Sequence, residues 1–266
     1  MTSTSALTYT CVGPSCAWPT ATRPTSCHRI DAGDRTVLVD IGHGALQALR
    51  GADAPLERLD AVLLTHLHLD HWADLVPLVW MRRFELAATA PLPVVVPEGQ
   101  AARLRTALEA LDALDVLDWI TLTELQAGLP PVDVGPVAVT AVALPHSAVL
   151  TVNGYRLQAA DGTTIVISGD CGPTDALPAF ARGAGLLVLE ATVPAPLPGH
   201  LTPGEAGAIV AAAQPGRALL SHYLEPLGGA PQLASARAVC PDVPLAFAEP
   251  GVAVAVAAAP STVRDR

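Results

Sequence analysis

Three imidazoles and one carboxylate fall within six residues of the sequence. The segment reads Thr-His-Leu-His-Leu-Asp-His and supplies His66, His68, Asp70 and His71. Imidazole nitrogen and carboxylate oxygen are ligands that suit zinc and its neighbours among the transition metals. Four such groups in one turn repel one another when water is removed, and a cation at their centre compensates for this. The alternative is a polar loop that binds no metal, and the composition of the segment favours the metal site.

The cluster directly follows an apolar run over residues 61–65 that has the length and residue types of a strand. Apolar positions at helical spacing predict a helix over residues 73–86, and a second helix ends near residue 114. Further helices are predicted over residues 175–182 and 203–213, the latter with Thr202 as N-cap and Pro203 at the first helical position. The other predicted strands cover residues 7–12, 36–41, 94–97, 137–144, 149–157, 163–168, 186–190, 218–221 and 252–256.

Two groups of strands with helices between them predict an α/β fold with four αββα layers, in which two mixed sheets are sandwiched between helices. The chain has 266 residues, 51% of them hydrophobic, and can bury a substantial core. No Gly/Ser-rich or charged linker divides it. We therefore expect one domain over residues 1–266.

The cluster has the pattern His-x-His-x-Asp-His, which resembles the motif of the metallo-β-lactamase superfamily position for position. Four more segments look like that family's later motifs, and each follows a predicted strand. They are Val39-Asp40-Ile41-Gly42, Pro145-His146-Ser147, Ser168-Gly169-Asp170 and Ser221-His222. The resemblance implies the αββα fold and a hydrolytic activity.

The resemblance also implies two divalent metal ions, with Zn²⁺ as the first choice and Mn²⁺ or Fe²⁺ as alternatives. One metal would be held by His66, His68 and His146, and the other by Asp70, His71 and His222, with Asp170 bridging both. Asp40 would orient a ligand imidazole from behind; the alternative is an ordinary aspartate in a turn after a strand. A two-metal site supplies a bridging hydroxide near neutral pH, so hydrolysis is the chemistry to expect.

Two segments are similar to elements of the ribonuclease Z branch, which hydrolyses phosphodiesters. Glu190-Ala191-Thr192 resembles its Glu-Ala-Thr, and His200-Leu201-Thr202 resembles its His-x-Thr. Gly154-Tyr155-Arg156-Leu157 likewise looks like its Gly-Tyr-Arg-Ile. The resemblance implies that His200 is a general acid, that Glu190 keeps it protonated and aimed, and that Asp70 belongs to the catalytic set. The alternative is that Glu190 caps a turn and His200 is a loop residue.

Two features depart from the tRNA-processing members of that branch. Residues 19–24 lack their basic pattern, and a short Ala-Ala-Asp-Gly turn follows Leu157 where those members insert a long basic arm. We therefore expect that tRNA is not the substrate. Residues 68–84 resemble armless members described as cyclic-nucleotide phosphodiesterases, so the leading hypothesis is a small phosphodiester substrate, such as a cyclic nucleotide. Arg23 or Arg156 is a candidate to bind its phosphate; the alternative is that each is an ordinary surface residue.

Two other functions remain open. One is a lactone or other carboxylic-ester hydrolase that uses the same metals. The other belongs to a different class, a catalytically silent metal-binding protein that serves as an interaction module. The complete set of expected ligands disfavours this second alternative.

Composition limits the partners. The sequence has no Lys and a net charge of −10, which argues against a general electrostatic grip on nucleic acid. No apolar run reaches the roughly 18 residues of a membrane span, and the first residues lack the features of a signal peptide, so we expect a cytoplasmic protein without a membrane partner.

The remaining expectations concern cysteines and assembly. Five cysteines without a Cys-x-x-Cys pair are expected to be reduced thiols. Trp80, Met81 and Phe84 on the predicted helix over residues 73–86 suit core packing, or could form a homodimer face.

Overall fold

The computed structural model describes residues 7–224 and 229–257. The α-helices in these ranges are α1 (Ala45–Gly51), α2 (Leu75–Phe84), α3 (Ala101–Ala110), α4 (Ala176–Ala181), α5 (Pro203–Ala213) and α6 (Ala230–Val239). The strands are β1 (Leu7–Gly13), β2 (Cys27–Ala32), β3 (Arg35–Val39), β4 (Leu59–Leu63), β5 (Leu92–Pro97), β6 (Ile120–Leu125), β7 (Val132–Val134), β8 (Val137–Ala143), β9 (Asn153–Gln158), β10 (Thr164–Ile167), β11 (Leu186–Glu190), β12 (Ala218–Ser221), β13 (Leu245–Phe247) and β14 (Ala253–Ala255). Short 3-10 helices cover Leu56–Arg58, Leu69–His71 and Leu114–Trp119.

The strands form two mixed sheets of seven strands each. One has the order β14-β1-β2-β3-β4-β5-β6 and the other the order β13-β12-β11-β10-β9-β8-β7. In the first sheet β3 to β6 are parallel, and in the second β10 to β13 are parallel. Consecutive strands supply most of the antiparallel pairs, and β14 pairs antiparallel with β1 at the edge of the first sheet.

Three separate apolar clusters show how the layers are stacked. The cluster between the sheets contains Tyr9, Tyr155 and apolar side chains from strands of both sheets. The second cluster covers the outer face of the first sheet with α1, α2 and α3, and the third covers the outer face of the second sheet with α4, α5 and α6. Each sheet is thus buried on both faces, and the predicted four-layer αββα fold is confirmed.

Most predicted elements are present, with shifted ends. The helix predicted over residues 73–86 is α2, and the one predicted to end near residue 114 stops at Ala110. The strand predicted from residue 149 begins at Asn153, because the Ser147 hydroxyl accepts hydrogen bonds from the backbone N–H of Val149 and Leu150 and holds a turn there. The prediction missed β2, β6, β7, β13, α1 and α6.

The start of α5 is as predicted. The Thr202 hydroxyl accepts a hydrogen bond from the Glu205 N–H, the Glu205 carboxylate accepts one from the Thr202 N–H, and Pro203 is the first residue of the helix. This capping box ends the loop that carries His200. The position of that loop is therefore fixed by a helix start.

The structure also bears on the expected absence of a membrane span and on the apolar residues of α2. In the described ranges no helix combines the length and the apolar character that a membrane crossing requires. Residues 1–6, on which the expected lack of a signal peptide rested, lie outside the described residues. On α2, Phe84 is 70% exposed and Trp80 38%, whereas Met81 is buried, so the three residues do not share one face.

Candidate metal centre

The predicted site residues come together at one edge of the two sheets. They follow, or end, six strands whose carboxyl ends meet there. Two of these strands, β3 and β4, are parallel neighbours in the first sheet, and three, β10 to β12, are parallel neighbours in the second. Ligand sites in open α/β sheets form outside such strand ends. The residues are Asp40 after β3, the cluster from His66 to His71 after β4, His146 after β8, Asp170 after β10, Glu190 at the end of β11 and His222 after β12.

One group of donor atoms consists of three imidazoles and one carboxylate oxygen. The Nδ1 atom of His68 lies 2.9 Å from Nε2 of His66 and 3.0 Å from Nε2 of His146. Oδ2 of Asp170 lies 3.9 Å from His66 Nε2 and 3.7 Å from His146 Nε2. Four ligand atoms thus face one small volume, as the resemblance predicts for the first metal.

A second group lies on the other side of Asp170. Oδ2 of Asp70 is 3.5 Å from Nε2 of His71 and 3.3 Å from Nε2 of His222. Oδ1 of Asp170 is 3.4 Å from His71 Nε2 and 3.3 Å from His222 Nε2. The two oxygens of Asp170 therefore face different groups, which is the arrangement that a bridging carboxylate needs.

The donor set fits divalent transition metals. Its atoms are imidazole nitrogens and carboxylate oxygens, the ligands found around zinc and its neighbours. His71 Nε2 and Asp170 Oδ1 are buried and have no hydrogen-bond partner among the described residues. Buried polar atoms are rarely left without a partner, and a bound cation would satisfy both.

The charge state of the imidazoles supports the same reading. Burial lowers the pKa of His66 well below its ordinary value, and the neighbouring His71 lowers it further. Burial likewise lowers the pKa of His68, so both rings are neutral and offer an electron pair. Burial also opposes a charge on His71, but the carboxylates of Asp170 and Asp40 outweigh it and hold its pKa well above the ordinary value. These two carboxylates stabilise a positive charge at His71, and either a proton or a bound metal cation can provide that charge.

Asp40 is fully buried behind the second group. Its Oδ2 atom lies 2.7 Å from Nδ1 of His71, and its Oδ1 atom accepts the backbone N–H of Thr65 at 2.7 Å. The Ser26 hydroxyl donates to Oδ2 at 3.0 Å. The carboxylate therefore holds the His71 ring by the nitrogen that faces away from Asp170, which matches the orienting role implied for it.

Glu190 and His200 form a pair beside the first group. Nδ1 of His200 lies 3.0 Å from Oε1 of Glu190, and the two imidazole rings of His200 and His146 have centres 4.8 Å apart. The Glu190 carboxylate is fixed by the backbone N–H of Cys171 at 2.6 Å and of Leu201 at 3.1 Å. Burial lowers the pKa of His200, but the hydrogen bond and charge of Glu190 outweigh this and raise it.

Sequence reasoning missed the groups that hold the remaining imidazoles from behind. Nδ1 of His222 lies 2.9 Å from the Thr192 hydroxyl, and Nδ1 of His146 lies 2.8 Å from the carbonyl oxygen of Gly199. Each contact fixes a tautomer that leaves Nε2 free for a metal. Thr192 could have been found, because it lies two residues after Glu190 in the same motif. The contact of Gly199 could not, because every residue type has a backbone carbonyl.

The two arginines suggested for phosphate binding have different positions. Nη1 of Arg23 donates to the hydroxyl of Tyr223 at 2.8 Å, beside His222. Arg156 instead donates to the carbonyl of Phe180 at 2.9 Å, on the face of the second sheet that α4 covers. Its neighbour Tyr155 faces the core between the sheets. Because alternate residues of a strand face opposite sides, Arg156 points away from the cluster, and its suggested role is wrong.

Comparison with known proteins agrees with this arrangement. A family model described as "Beta-lactamase superfamily domain" matches residues 35–223, which contain every candidate site residue from Asp40 to His222. The chain belongs to the β-lactamase superfamily. The αββα layers are thus those of a family of metal-dependent hydrolases, and the His/Asp cluster suggests that this chain binds divalent metal.

Sequence relatives at about 30% identity are named Ribonuclease Z, in agreement with the predicted resemblance to that branch. The chain is 30% identical over 248 residues to a protein named Ribonuclease Z from Mycobacterium bovis (strain BCG / Pasteur 1173P2), covering 84% of this chain and 88% of the relative. The metallo-β-lactamase fold protein YhfI from Bacillus subtilis superposes with a TM-score of 0.81 at 27% identity, over 94% of this chain and 99% of that chain. Human tRNase Z, short form, gives a TM-score of 0.75 at 21% identity, over the same shares, and shows the common fold.

Proposed function

We propose that this superfamily member is a metal-dependent phosphodiesterase that acts on a small phosphodiester, such as a cyclic nucleotide. The observation that carries the proposal is the Glu190–His200 pair beside the ligand groups. A phosphodiester has a leaving oxygen that needs a proton, and a protonated imidazole next to the cluster can supply it. The pair also resembles elements of the branch to which the named relatives belong.

We propose that the ligand groups hold two divalent cations, with Zn²⁺ as the first choice and Mn²⁺ or Fe²⁺ as alternatives. His66, His68 and His146 would hold one cation, and Asp70, His71 and His222 the other, with Asp170 shared between them. When bound, such a pair polarises the phosphoryl group and makes an attacking water acidic enough to react near neutral pH.

The chain's own residues would then divide the remaining work. The Glu190 carboxylate accepts a hydrogen bond from the Nδ1–H group of His200 and thereby directs Nε2 of that ring toward the cluster. In the protonated ring, Nε2 donates its proton to the leaving oxygen, and Glu190 favours this protonated form because it raises the pKa of His200. Asp40 and Thr192 hold the rings of His71 and His222 from behind, so that neither has to reorient during the reaction.

Three features support a small substrate. The chain has no Lys and a net charge of −10, and β9 and β10 are joined by a tight turn in which the Ala159 N–H donates to the Thr163 carbonyl at 2.9 Å. This is the connection where, by resemblance, tRNA-processing members carry their basic arm. The relatives named Ribonuclease Z keep RNA as the alternative that experiment must test.

The proposal is tested with purified, metal-loaded protein and four substrates side by side: bis(p-nitrophenyl) phosphate, a 3′,5′-cyclic nucleotide, a thioester and a lactone. We expect turnover of the two phosphodiesters, lost on chelation and restored by added Zn²⁺ or Mn²⁺. Hydrolysis of the lactone without phosphodiesterase activity would assign the protein to carboxylic-ester hydrolysis on the same residues. Metal binding without turnover of any of the four would instead support a silent metal-binding module.

A further inference from the structure

Four large apolar side chains are exposed on loops next to the candidate metal centre. Trp18 is 61% exposed, Leu69 54%, Val149 68% and Leu197 51%. We refer to these four residues as the apolar rim. Large apolar side chains that are exposed together beside a site often mark a surface that binds a ligand.

Local hydrogen bonds tie two members of the rim to site residues. The backbone N–H of His200 donates to the carbonyl of Leu197 at 3.1 Å, so the loop that carries the proposed acid also carries this leucine. Val149 lies in the turn held by the Ser147 hydroxyl, directly after His146. Both residues therefore sit on the loops that deliver the His200 and His146 rings.

The other two members lie on loops that carry or contact further site residues. Leu69 stands between His68 and Asp70, in the 3-10 helix that follows β4. Trp18 lies on the loop after Gly13, in which the carbonyl of Pro14 accepts the backbone N–H of Tyr223 at 3.1 Å. The same loop is fixed to the far end of the site by a bridge between Ser15 and Tyr223, the residue after His222.

The loops of the rim carry almost no charge apart from the site residues. Residues 14–22, 147–152 and 191–199 contain no Arg, Lys, Asp or Glu, and proline, valine, leucine and alanine predominate in them. Two arginines border these loops, and each already donates a hydrogen bond: Arg23 to the Tyr223 hydroxyl and Arg103 to the carbonyl of Val149 at 3.1 Å. The rim itself therefore offers mostly apolar surface, which favours an uncharged ring over a row of phosphates because burying the ring removes apolar surface from water.

We propose that the apolar rim binds an uncharged ring of the substrate. The ring belongs to the ester group that stays on phosphorus when the other ester group leaves. This inference rests on the proposed phosphodiesterase function and narrows it to diesters in which the ester group that stays on phosphorus carries an uncharged aromatic ring, as the base does in a cyclic nucleotide. Trp18 offers a flat surface for such a ring, and Leu197 and Val149 offer side chains for its edge.

The test compares phenyl p-nitrophenyl phosphate with methyl p-nitrophenyl phosphate. The two diesters share the leaving group and differ only in the group that stays behind, so the ratio of their kcat/KM values isolates recognition of the ring. For Trp18→Ala and Leu197→Ala we expect this ratio to fall about threefold to tenfold relative to the unchanged protein, mainly through KM for the phenyl diester. The methyl diester should be hydrolysed nearly as before.

Two matched controls are available in the same chain. Leu129 is 51% exposed, as Leu197 is, and Phe84 is an exposed aromatic like Trp18, but both lie outside the rim. Leu129→Ala and Phe84→Ala should leave the ratio unchanged. Melting temperatures of all four variants show whether each retains its fold.

A measurement on the unchanged protein avoids mutation altogether. Phenylphosphonate should inhibit hydrolysis of the methyl diester more strongly than methylphosphonate, by about tenfold, if a ring is bound beside the metal centre. Equal inhibition, together with an unaltered ratio in Trp18→Ala and Leu197→Ala, would overturn the role of the rim while leaving the phosphodiesterase intact. Absence of turnover of both diesters by metal-loaded protein would instead overturn the proposed function.

Discussion

Oδ2 of Asp40 lies 2.7 Å from Nδ1 of His71, on the side of the ring that faces away from Asp170. Asp40 adopts a left-handed backbone conformation with φ of 61°, which costs energy for a residue other than glycine. Its carboxylate is thereby placed to hold Thr65 and His71 together. This geometry favours an orienting role over that of an ordinary turn residue.

We therefore predict that Asp40→Ala weakens metal binding by roughly 10- to 100-fold, the usual effect of losing a carboxylate behind a ligand histidine. Titration against a chromophoric chelator measures the change. Asp53→Ala is the control, since Asp53 also has positive φ but is exposed and on a different loop. Unchanged metal affinity in Asp40→Ala would show that the contact has no orienting role.

The metal stoichiometry gives a second prediction. Protein prepared without chelator should contain close to two transition-metal ions per chain, and both ions and activity should be lost on chelation. Asp170→Ala should reduce occupancy at both positions, because its two oxygens face different ligand groups. His222→Ala should reduce occupancy chiefly at the position that His222 forms with Asp70 and His71. Elemental analysis of the variants decides this, and a full complement of two ions in Asp170→Ala would contradict the bridging role.

His200 is expected to act on the proton and not on the metal, although its ring lies close enough to Asp170 and His222 to be a ligand. His200→Ala should keep its metal and lose roughly 10²- to 10⁴-fold in turnover on a diester with a poor leaving group. On bis(p-nitrophenyl) phosphate the loss should be smaller, because p-nitrophenolate leaves without a proton. Equal losses on both substrates, accompanied by loss of metal, would identify His200 as a ligand.

Gly42 provides a prediction about packing behind the site. A Cβ at this position would overlap the carbonyl oxygen of Asp70 and the Thr25 hydroxyl. Gly42→Ala should therefore displace Asp70 and lower both metal affinity and melting temperature. Gly51→Ala is the matched control, because a Cβ there meets no atom within 4 Å. Retention of metal affinity by Gly42→Ala would mean that the Asp70 backbone yields without affecting the site.

Much of the fold and of the candidate site could be predicted because strands and motif residues are linked locally. The candidate ligands come directly after apolar runs such as 61–65, so their order along the chain was enough to predict that they lie at the ends of strands. The missed strands are shorter or more polar: β7 has three residues, two of them exposed, and β2 is interrupted by His28, Arg29 and Asp31. Their pairing depends on partners distant in sequence, which periodicity does not report.

Long-range geometry also explains the wrong expectation for Arg156. Its place in a family-like motif suggested the site, but the direction of a side chain on β9 is set by the pleat and by which face α4 covers. The role of Gly199 was hidden for a related reason. A backbone carbonyl that accepts from His146 is available in any residue type and is placed only by the folded loop.

Substrate size is the last prediction, and it rests on the tight β9–β10 turn, the uncharged loops around the site and the net charge of −10. Binding of precursor tRNA requires enough Arg or Lys contacts to release several counterions, so its affinity falls steeply as salt rises. A small diester needs only the ligand groups and a few side chains.

We expect cyclic or other small phosphodiesters to be hydrolysed, and precursor tRNA to remain uncut even at low salt, where electrostatic binding is strongest. The measurement is 3′-trailer cleavage from about 20 to 200 mM salt beside hydrolysis of a cyclic nucleotide. Because relatives of this chain are named Ribonuclease Z, efficient and salt-sensitive trailer cleavage is a concrete opposing outcome, and it would replace the small diester with tRNA as the substrate.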